Sequence, residues 1–297
     1  MRTSPSGPWK SLERLSALSM FFVSLLLCFA CSRAPTSPEL TPEKKKQRIA
    51  SLSPAITATI QELQATEKLV GVSDYCSTPT SLPQLGTAIT PNFEAIARVA
   101  PTWIAATNLA GSSAEQLKAI APLNNYAWLT LREMTGSIRA LGKKIERQTA
   151  ANALAEHLEK ELGQKENPQA PKVLLVWESA QGDPSTYFVR KNSAHGGLLA
   201  AAGLQNAIQE EIQGVPRLSL EELLQLNPDG ILVLRQGSAD KEAEEKILQS
   251  YQKLSPLQAL GNGQIAVLSH PEVLSMGPGL LRTSRALQEI TKGWKSE

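Results

Sequence analysis

This chain of 297 residues contains few of the side chains on which most enzymes and metalloproteins depend. It has three cysteines and three histidines, and aromatic residues make up only 5% of it. The sequence has no G-x-S-x-G nucleophile motif, no H-E-x-x-H zinc motif and no phosphate-binding P-loop. These absences argue against the common hydrolases, zinc proteases and nucleoside triphosphatases. We therefore predict no catalytic residues, no metal site and no cofactor.

The rest of the composition is that of a globular protein. Hydrophobic residues make up 42% of the chain and charged residues 20%, and the length is sufficient for two domains of ordinary size. The formal net charge of +2 gives no electrostatic basis for binding nucleic acid. We expect a monomer that has no nucleic-acid partner.

The N-terminus has the features of a targeting segment. A basic start is followed by an uncharged run from Leu15 to Ala30, which is shorter than the ~20 apolar residues of a transmembrane helix. The run ends in Leu27-Cys28-Phe29-Ala30-Cys31, which resembles a bacterial lipoprotein signal in placing a small residue just before a cysteine. We predict that residues 1–31 comprise this signal and its lipid-anchor residue, Cys31. Ordinary signal cleavage and an uncleaved anchor are the alternatives.

Residues 32–47 consist mainly of Pro, Ser, Thr, Glu and Lys. This composition predicts a disordered tether that holds a folded body near a membrane. If Cys28 is removed with the signal and Cys31 is acylated, Cys76 is the one remaining cysteine and no intramolecular disulfide can form. We expect an exported protein, lipid-anchored to the cell membrane and facing the periplasm or the exterior.

Two stretches of the chain, 127 residues apart, repeat the same local pattern. Asn92 and Ser219 are residues that favour helix N-caps, and each is followed nine positions later by a proline and then by an apolar run. Each stretch predicts a capped two-turn helix, a proline stop and a buried strand. The repeat indicates two similar lobes, and two lobes offer a ligand cleft between them.

Strands alternate with helices on both sides of residues 137–166, which predicts parallel α/β lobes at residues 48–136 and 167–297. The intervening segment has a helical pattern from about Ser137 to Leu162, and its apolar stripe changes direction by roughly 130° on the way. A helix that leaves one lobe and joins another has reason to rotate its stripe, so we predict one long linking helix. Two helices with a break near Gln148-Thr149 are the alternative.

Glu94 and Glu221 occupy the same position in the two repeats, in the first turn of each predicted helix. A carboxylate is favoured there by the helix dipole, so each residue alone has a structural explanation. Glu222 has one as well, because it forms a capping box with Ser219. The structural explanation does not require a match between lobes. Two matched carboxylates could dock a two-fold partner that carries arginines.

Several segments resemble the ABC-transporter substrate-binding proteins for cobalamin, haem and iron–siderophores: Arg48–Pro54, Val70–Tyr75, Asn92–Ile96, Leu218–Leu224 and Asn227–Asp229. The resemblance extends from Arg48 to about Ile290. It implies two Rossmann-like α/β lobes joined by a single long interdomain helix, with the ligand in the cleft. It also implies that Glu94 and Glu221 pair with arginines of the membrane permease.

The resemblance implies an aromatic cleft residue at Tyr75, whereas Gly86-Thr87-Ala88 and Val215 lack the aromatic residues that are common at their positions. Arginines in second-lobe loops could bind carboxylates or phosphates of a ligand. The predicted ligand-binding residues are Tyr75, Asn108, Tyr187, Arg190, Arg217 and His270.

We interpret the chain as a substrate-binding lipoprotein that delivers a cobalamin-like corrinoid or an iron chelate, such as a siderophore or haem, to an ABC permease. Three alternatives stay open. The first is a metal-ion binding protein that uses His195 and His270 with Asp74 or a glutamate. The second is a lipoprotein enzyme on the same fold, and the third is a sensor or adaptor that binds ligand without delivering it.

Overall fold

The computed structural model describes residues 46–76, 78, 81–178, 186–210, 215–254 and 256–295. The predicted signal with Cys31, and the predicted tether up to residue 45, lie outside these ranges. None of the helices within the ranges is both long and apolar enough to cross a membrane.

The first lobe is built on four parallel strands: β1 (Ile49–Ser51), β2 (Leu69–Val72), β3 (Trp103–Thr107) and β4 (Leu123–Tyr126). They lie in the order β2-β1-β3-β4. In the part of this lobe that the structure describes, three α-helices accompany the strands: α1 (Pro54–Glu62), α2 (Phe93–Arg98) and α3 (Ser112–Ile120). Strands β1 and β3 are central in the sheet and almost fully buried, as expected of parallel strands that are covered on both faces.

A hairpin of two helices, α4 (Leu131–Lys144) and α5 (Gln148–Leu162), connects the lobes. At the turn, Glu146 has a left-handed backbone conformation with φ of 62°. The helices are antiparallel, because Gly142 lies against Ala151 near the turn, whereas Arg139, earlier on α4, donates two hydrogen bonds of 2.6 and 2.8 Å to the carboxylate of Glu159, later on α5. The prediction of one long linking helix is therefore wrong. The alternative of two helices is correct, with the break just before Gln148.

The change of stripe direction, which suggested a rotating helix, has a different cause. Ile138 and Leu141 on α4 are buried, and so are Leu158 and Leu162 on α5. Each helix turns its own stripe toward one shared core, because the chain reverses direction between them. A pattern of apolar positions cannot distinguish a stripe that rotates along one helix from two stripes on a hairpin.

The second lobe is built on four parallel strands: β5 (Lys172–Trp177), β7 (Gln205–Asn206), β9 (Gly230–Gln236) and β10 (Ile265–His270). They lie in the order β10-β9-β5-β7. A short antiparallel ribbon is formed by β6 (Thr186–Tyr187) and β8 (Arg217–Leu218). The described residues of this lobe also form five α-helices: α6 (Gly197–Ala201), α7 (Leu220–Leu226), α8 (Lys241–Gln252), α9 (Gln258–Gly261) and α10 (Gly279–Ile290).

The predicted repeat of helix, proline and strand is present in both lobes, as α2 with β3 and as α7 with β9. The Asn92 side chain accepts a hydrogen bond of 3.0 Å from the N–H of Ala95, and Ser219 accepts one of 3.2 Å from the N–H of Glu222. Both caps satisfy a backbone donor that the first helical turn leaves without an intrahelical partner. The sheets lie within the predicted residues 48–136 and 167–297, and the boundaries themselves remain predictions.

One continuous apolar core joins the lobes through the hairpin. It contains buried side chains from both sheets and from α1, α4, α5 and α10, including Ile49, Ile56, Met134, Leu158, Leu175, Leu232 and Leu287. The backbone N–H of Ala194 in the second lobe also donates 2.9 Å to the carbonyl of Leu129 in the first. Separating the lobes would expose this core to water, at a free-energy cost of about 25 cal/mol for each Å² of apolar surface. The fold therefore resists large movements of one lobe relative to the other.

Close packing at Gly142 is predicted to be essential for the hairpin. A Cβ atom at Gly142 would lie 2.0 Å from the Cβ of Ala151 on α5. We expect Gly142→Ala to lower the free energy of unfolding by at least about 2 kcal/mol, because the helices must separate to accept the methyl group. Urea unfolding followed by tryptophan fluorescence measures the change.

Gly136 provides the matched control within the same helix. It is exposed, and a Cβ there would meet no atom within 4 Å. Gly136→Ala should therefore raise the free energy of unfolding by roughly 0.5–1 kcal/mol. Equal stability of the two variants would contradict the close approach of α4 and α5.

Candidate functional site

The candidate ligand site lies at the carboxyl ends of the parallel strands, where ligands bind in open α/β sheets. Tyr75 lies in the turn after β2, and Asn108 directly follows β3. His270 is the last residue of β10, at the corresponding edge of the second sheet. Three of the predicted ligand residues therefore lie at the sheet edges that the fold makes available for binding.

Tyr75 presents its ring to solvent from an anchored backbone. Its side chain is 80% exposed. On one side, Asp74 forms two hydrogen bonds with Gly86. Its N–H donates to the Gly86 carbonyl at 3.1 Å, and its carboxylate accepts from the Gly86 N–H at 2.9 Å. On the other side, the Cys76 thiol donates 3.2 Å to the Thr57 hydroxyl, and burial raises the pKa of that thiol. The cysteine is thus a packing residue, and Tyr75 offers a phenol at a fixed place.

The ribbon of β6 and β8 brings further predicted residues together. Tyr187 lies directly opposite Arg217 in the register of the ribbon. The chain then runs beside β5, since the N–H of Val189 donates 2.8 Å to the carbonyl of Leu175. Arg190 comes next and is half-buried. Tyr187 and Arg217 are thus neighbours on the ribbon, and Arg190 follows Tyr187 by three residues along the chain.

His270 is oriented as a hydrogen-bond donor. Its Nδ1 accepts a hydrogen bond of 3.0 Å from the backbone N–H of Glu272, which in turn pairs with Arg282. A neutral imidazole that accepts at Nδ1 carries its proton on Nε2. In this arrangement Nδ1 is occupied by the backbone and Nε2 carries the ring N–H, so neither nitrogen has a free lone pair for a metal ion.

Glu94 and Glu221 occupy the first turns of α2 and α7, at the matched positions that the sequence predicts. Glu94 is highly exposed, and its Oε1 lies 2.5 Å from an Nη2 of Arg98. Glu222 differs from both in closing the capping box with Ser219, and the hydrogen bonds from Ser219 hold the pKa of Glu222 below its usual range. The capping role predicted for Glu222 is confirmed, and Glu221 is not used by the cap.

Residues 49–271 match the periplasmic binding protein family. The chain belongs to this family. It is 27% identical over 236 residues to the high-affinity heme uptake system protein IsdE of Staphylococcus aureus (strain MRSA252). The aligned region covers 75% of this chain and 78% of IsdE.

Two solved structures share the fold of this binding protein. The periplasmic heme-binding protein HutB of Vibrio cholerae superimposes with a TM-score of 0.70 at 20% identity, over 83% of this chain and 99% of HutB. An ABC transporter substrate-binding protein from Listeria monocytogenes EGD-e superimposes with a TM-score of 0.65 at 22% identity, over 84% of this chain and 98% of the other. The predicted two-lobed α/β fold is confirmed, and members of this family are solute-binding proteins.

The alternative of a metal-ion site required His195 and His270 together, and the geometry of His195 does not support it. His195 is 2% exposed, its ring meets that of Trp177 edge-on with centroids 5.0 Å apart, and its Nε2 lies 3.3 Å from the carbonyl of Val273. Burial lowers its pKa to about 4. Across the described ranges, no group of three or more His, Cys, Asp or Glu side chains is arranged to hold a metal ion.

The structure adds a charged group that sequence reasoning missed. Arg235, near the carboxyl end of β9, has a largely buried side chain and donates 2.9 Å to the carbonyl of Ser238. Its guanidinium nitrogens lie 3.7 Å from Glu178 and 3.9 Å from Asp240. The available signal was an arginine that directly follows the apolar run Ile231–Leu234. Such a residue at this sheet edge is a candidate for organising the second-lobe side of the cleft.

Burial of His195 predicts a pH-dependent stability. The unfolded histidine binds a proton with a pKa near 6.5, and the folded one with a pKa of about 4. Between these values the unfolded chain binds more protons, so stability is complete above about pH 6.5 and falls as the pH approaches 4. The loss should reach about 3 kcal/mol in urea unfolding measured across this window.

His195→Gln should flatten the pH dependence over the same window, whatever its effect at pH 7. His157→Gln is the control, since His157 is exposed and its replacement should leave the profile of the wild type. The three proteins contain the same carboxylates, so the difference between their profiles reports on the histidine. An unchanged profile in His195→Gln would contradict the assignment of the proton to this ring.

Proposed function

We propose that this protein is the substrate-binding component of an ABC importer and that its ligand is haem or another ferric chelate. The observation that carries the proposal is the similarity to a haem uptake protein over three quarters of the chain. The likeness in fold to HutB and to an ABC transporter substrate-binding protein agrees with it. The alternatives of an enzyme and of a sensor have no such support.

The predicted ligand residues favour an iron-bearing, carboxylate-bearing ligand over a corrinoid. A tyrosine phenolate is one of the groups that ligate haem iron, and Tyr75 offers an exposed phenol. Arg190 and Arg217 could each pair with a carboxylate, such as a haem propionate, in a bidentate geometry. The corrin ring of cobalamin carries amides in place of those carboxylates. Asn108, Tyr187 and His270 complete the proposed set with an amide, a ring and an N–H donor.

Glu94 and Glu221 are proposed to pair with arginines of the permease. The support is their matched position, since in both lobes the N-cap side chain accepts a hydrogen bond from the N–H three residues further on. Charge-assisted carboxylate–guanidinium pairs provide both affinity and orientation. We further propose that the protein is exported, monomeric, and held to the membrane by a lipid on Cys31.

Titration of the full-length protein with haem, a ferric siderophore and cobalamin tests the ligand. We expect haem or the siderophore to quench tryptophan fluorescence and cobalamin to have no effect. Tyr75→Ala should weaken binding at least about tenfold, since it removes both ring and phenol. Tyr75→Phe separates the effect of the ring from that of the phenol, because it removes only the hydroxyl group. A changed Soret band of the bound haem, at near-normal affinity, would identify the phenol as an iron ligand.

Ile89→Ala is the control for this series, since Ile89 is also highly exposed in the first lobe and has no proposed role. Its affinity should equal that of the wild type. Tight binding of cobalamin, with neither haem nor the siderophore bound, would refute the proposed ligand.

The double variant Glu94→Arg with Glu221→Arg tests docking. We expect transport into membrane vesicles to be abolished while the ligand affinity stays within about twofold, because like charges would face each other at both contacts. Glu115→Arg with Glu242→Arg is the matched control, since these exposed glutamates also lie in first helical turns, one in each lobe. Normal transport in the first variant would rule out this docking surface.

A further inference from the structure

We propose that the two lobes dock unequally, and that the second lobe receives an arginine whose apolar stem packs on a surface of α7. This surface consists of Leu220, Glu221, Leu224 and Gln225 and is called the α7 surface below. The inference rests on the proposed function, because it specifies the partner group at one of the two docking contacts. It is carried by a difference between the repeats, which otherwise match.

In the first lobe the docking carboxylate is already paired. Glu94 and Arg98 are separated by one helical turn on α2, and their charged atoms lie 2.5 Å apart. The flanking residues add little apolar surface, because Phe93 is partly buried against the core of its own lobe and Ala97 is small. An arginine from a partner therefore meets a carboxylate whose charge is already partly compensated by Arg98.

In the second lobe each of these features is changed. Gln225 stands at the position matching Arg98, and Leu224 at the position matching Ala97. Leu220 and Leu224 are 47% and 38% exposed, and together with Glu221 and Gln225 they line a shallow, open part of the surface. No cation of the described residues lies within 4 Å of the Glu221 carboxylate. The lobe thus presents an uncompensated carboxylate between two exposed leucines.

This combination of groups matches arginine better than lysine. The arginine stem covers apolar surface while its planar guanidinium forms two hydrogen bonds to a carboxylate. Docking would remove water from both leucines and would not require an existing ion pair to break. The second lobe should therefore provide the larger part of the docking affinity.

Exchange of the two matched positions tests the inference. Arg98→Gln gives the first lobe the free carboxylate of the second, and Gln225→Arg gives the second lobe the paired carboxylate of the first. We expect the first variant to tighten binding about twofold and the second to weaken it by at least that factor, as for exposed helical ion pairs. The measurements are the affinity for the permease–ATPase complex in lipid nanodiscs and the stimulation of its ATPase activity.

Removal of the leucines tests the apolar contact. Leu220→Gln with Leu224→Gln should weaken permease binding about tenfold and leave haem affinity unchanged. Leu274→Gln is the control, because Leu274 is 40% exposed outside the α7 surface. Its permease affinity should equal that of the wild type. Unchanged haem affinity also shows that the variants are folded.

The outcomes separate the inference from the function on which it rests. A wild-type protein that binds haem but neither binds nor stimulates any permease complex would refute the proposed function. A wild-type protein that binds its permease, with both exchange variants and the leucine variant equal to it, would overturn the unequal docking alone. Loss of a wild-type dimer on sedimentation of the leucine variant, at unchanged permease affinity, would assign the α7 surface to self-association and also overturn it.

Discussion

The close approach of α4 and α5 is the constraint on which the rest of the structure depends. Gly142 allows the two helices to pack closely, and the hairpin then supplies apolar side chains to a core that both sheets share. Because the lobes are joined in this way, the carboxyl ends of their strands are held as two edges of one body. The candidate cleft residues and the two capped helices all depend on that frame.

The features that sequence reasoning predicted correctly are governed by local chemistry. Asn92 and Ser219 cap their helices as expected, and the prolines after them end those helices, because both effects act within a few residues. The hairpin was missed for the opposite reason. Its turn depends on a left-handed conformation at Glu146. No glycine or proline stands there to indicate a turn in the sequence, so tertiary packing must impose that conformation.

The same distinction applies to the candidate site. Tyr75, Asn108 and His270 could be placed at strand ends because strand ends are visible in the apolar pattern. The isolation of His195 in the core, and the position of Arg235 between two carboxylates, could not be read from the sequence, because both depend on residues far away along the chain. A histidine count in particular says nothing about which imidazole faces solvent.

The shared core also limits how far the docking surface can differ between the empty and the loaded protein. If the lobes scarcely move, the distance between α2 and α7 is nearly the same in the empty and the loaded states. A membrane complex that binds both helices would meet the same surface in either state. If the protein docks on a permease as proposed, discrimination between the two forms would depend on contacts between the permease and the ligand itself, and the empty protein would compete with the loaded protein for the same binding site.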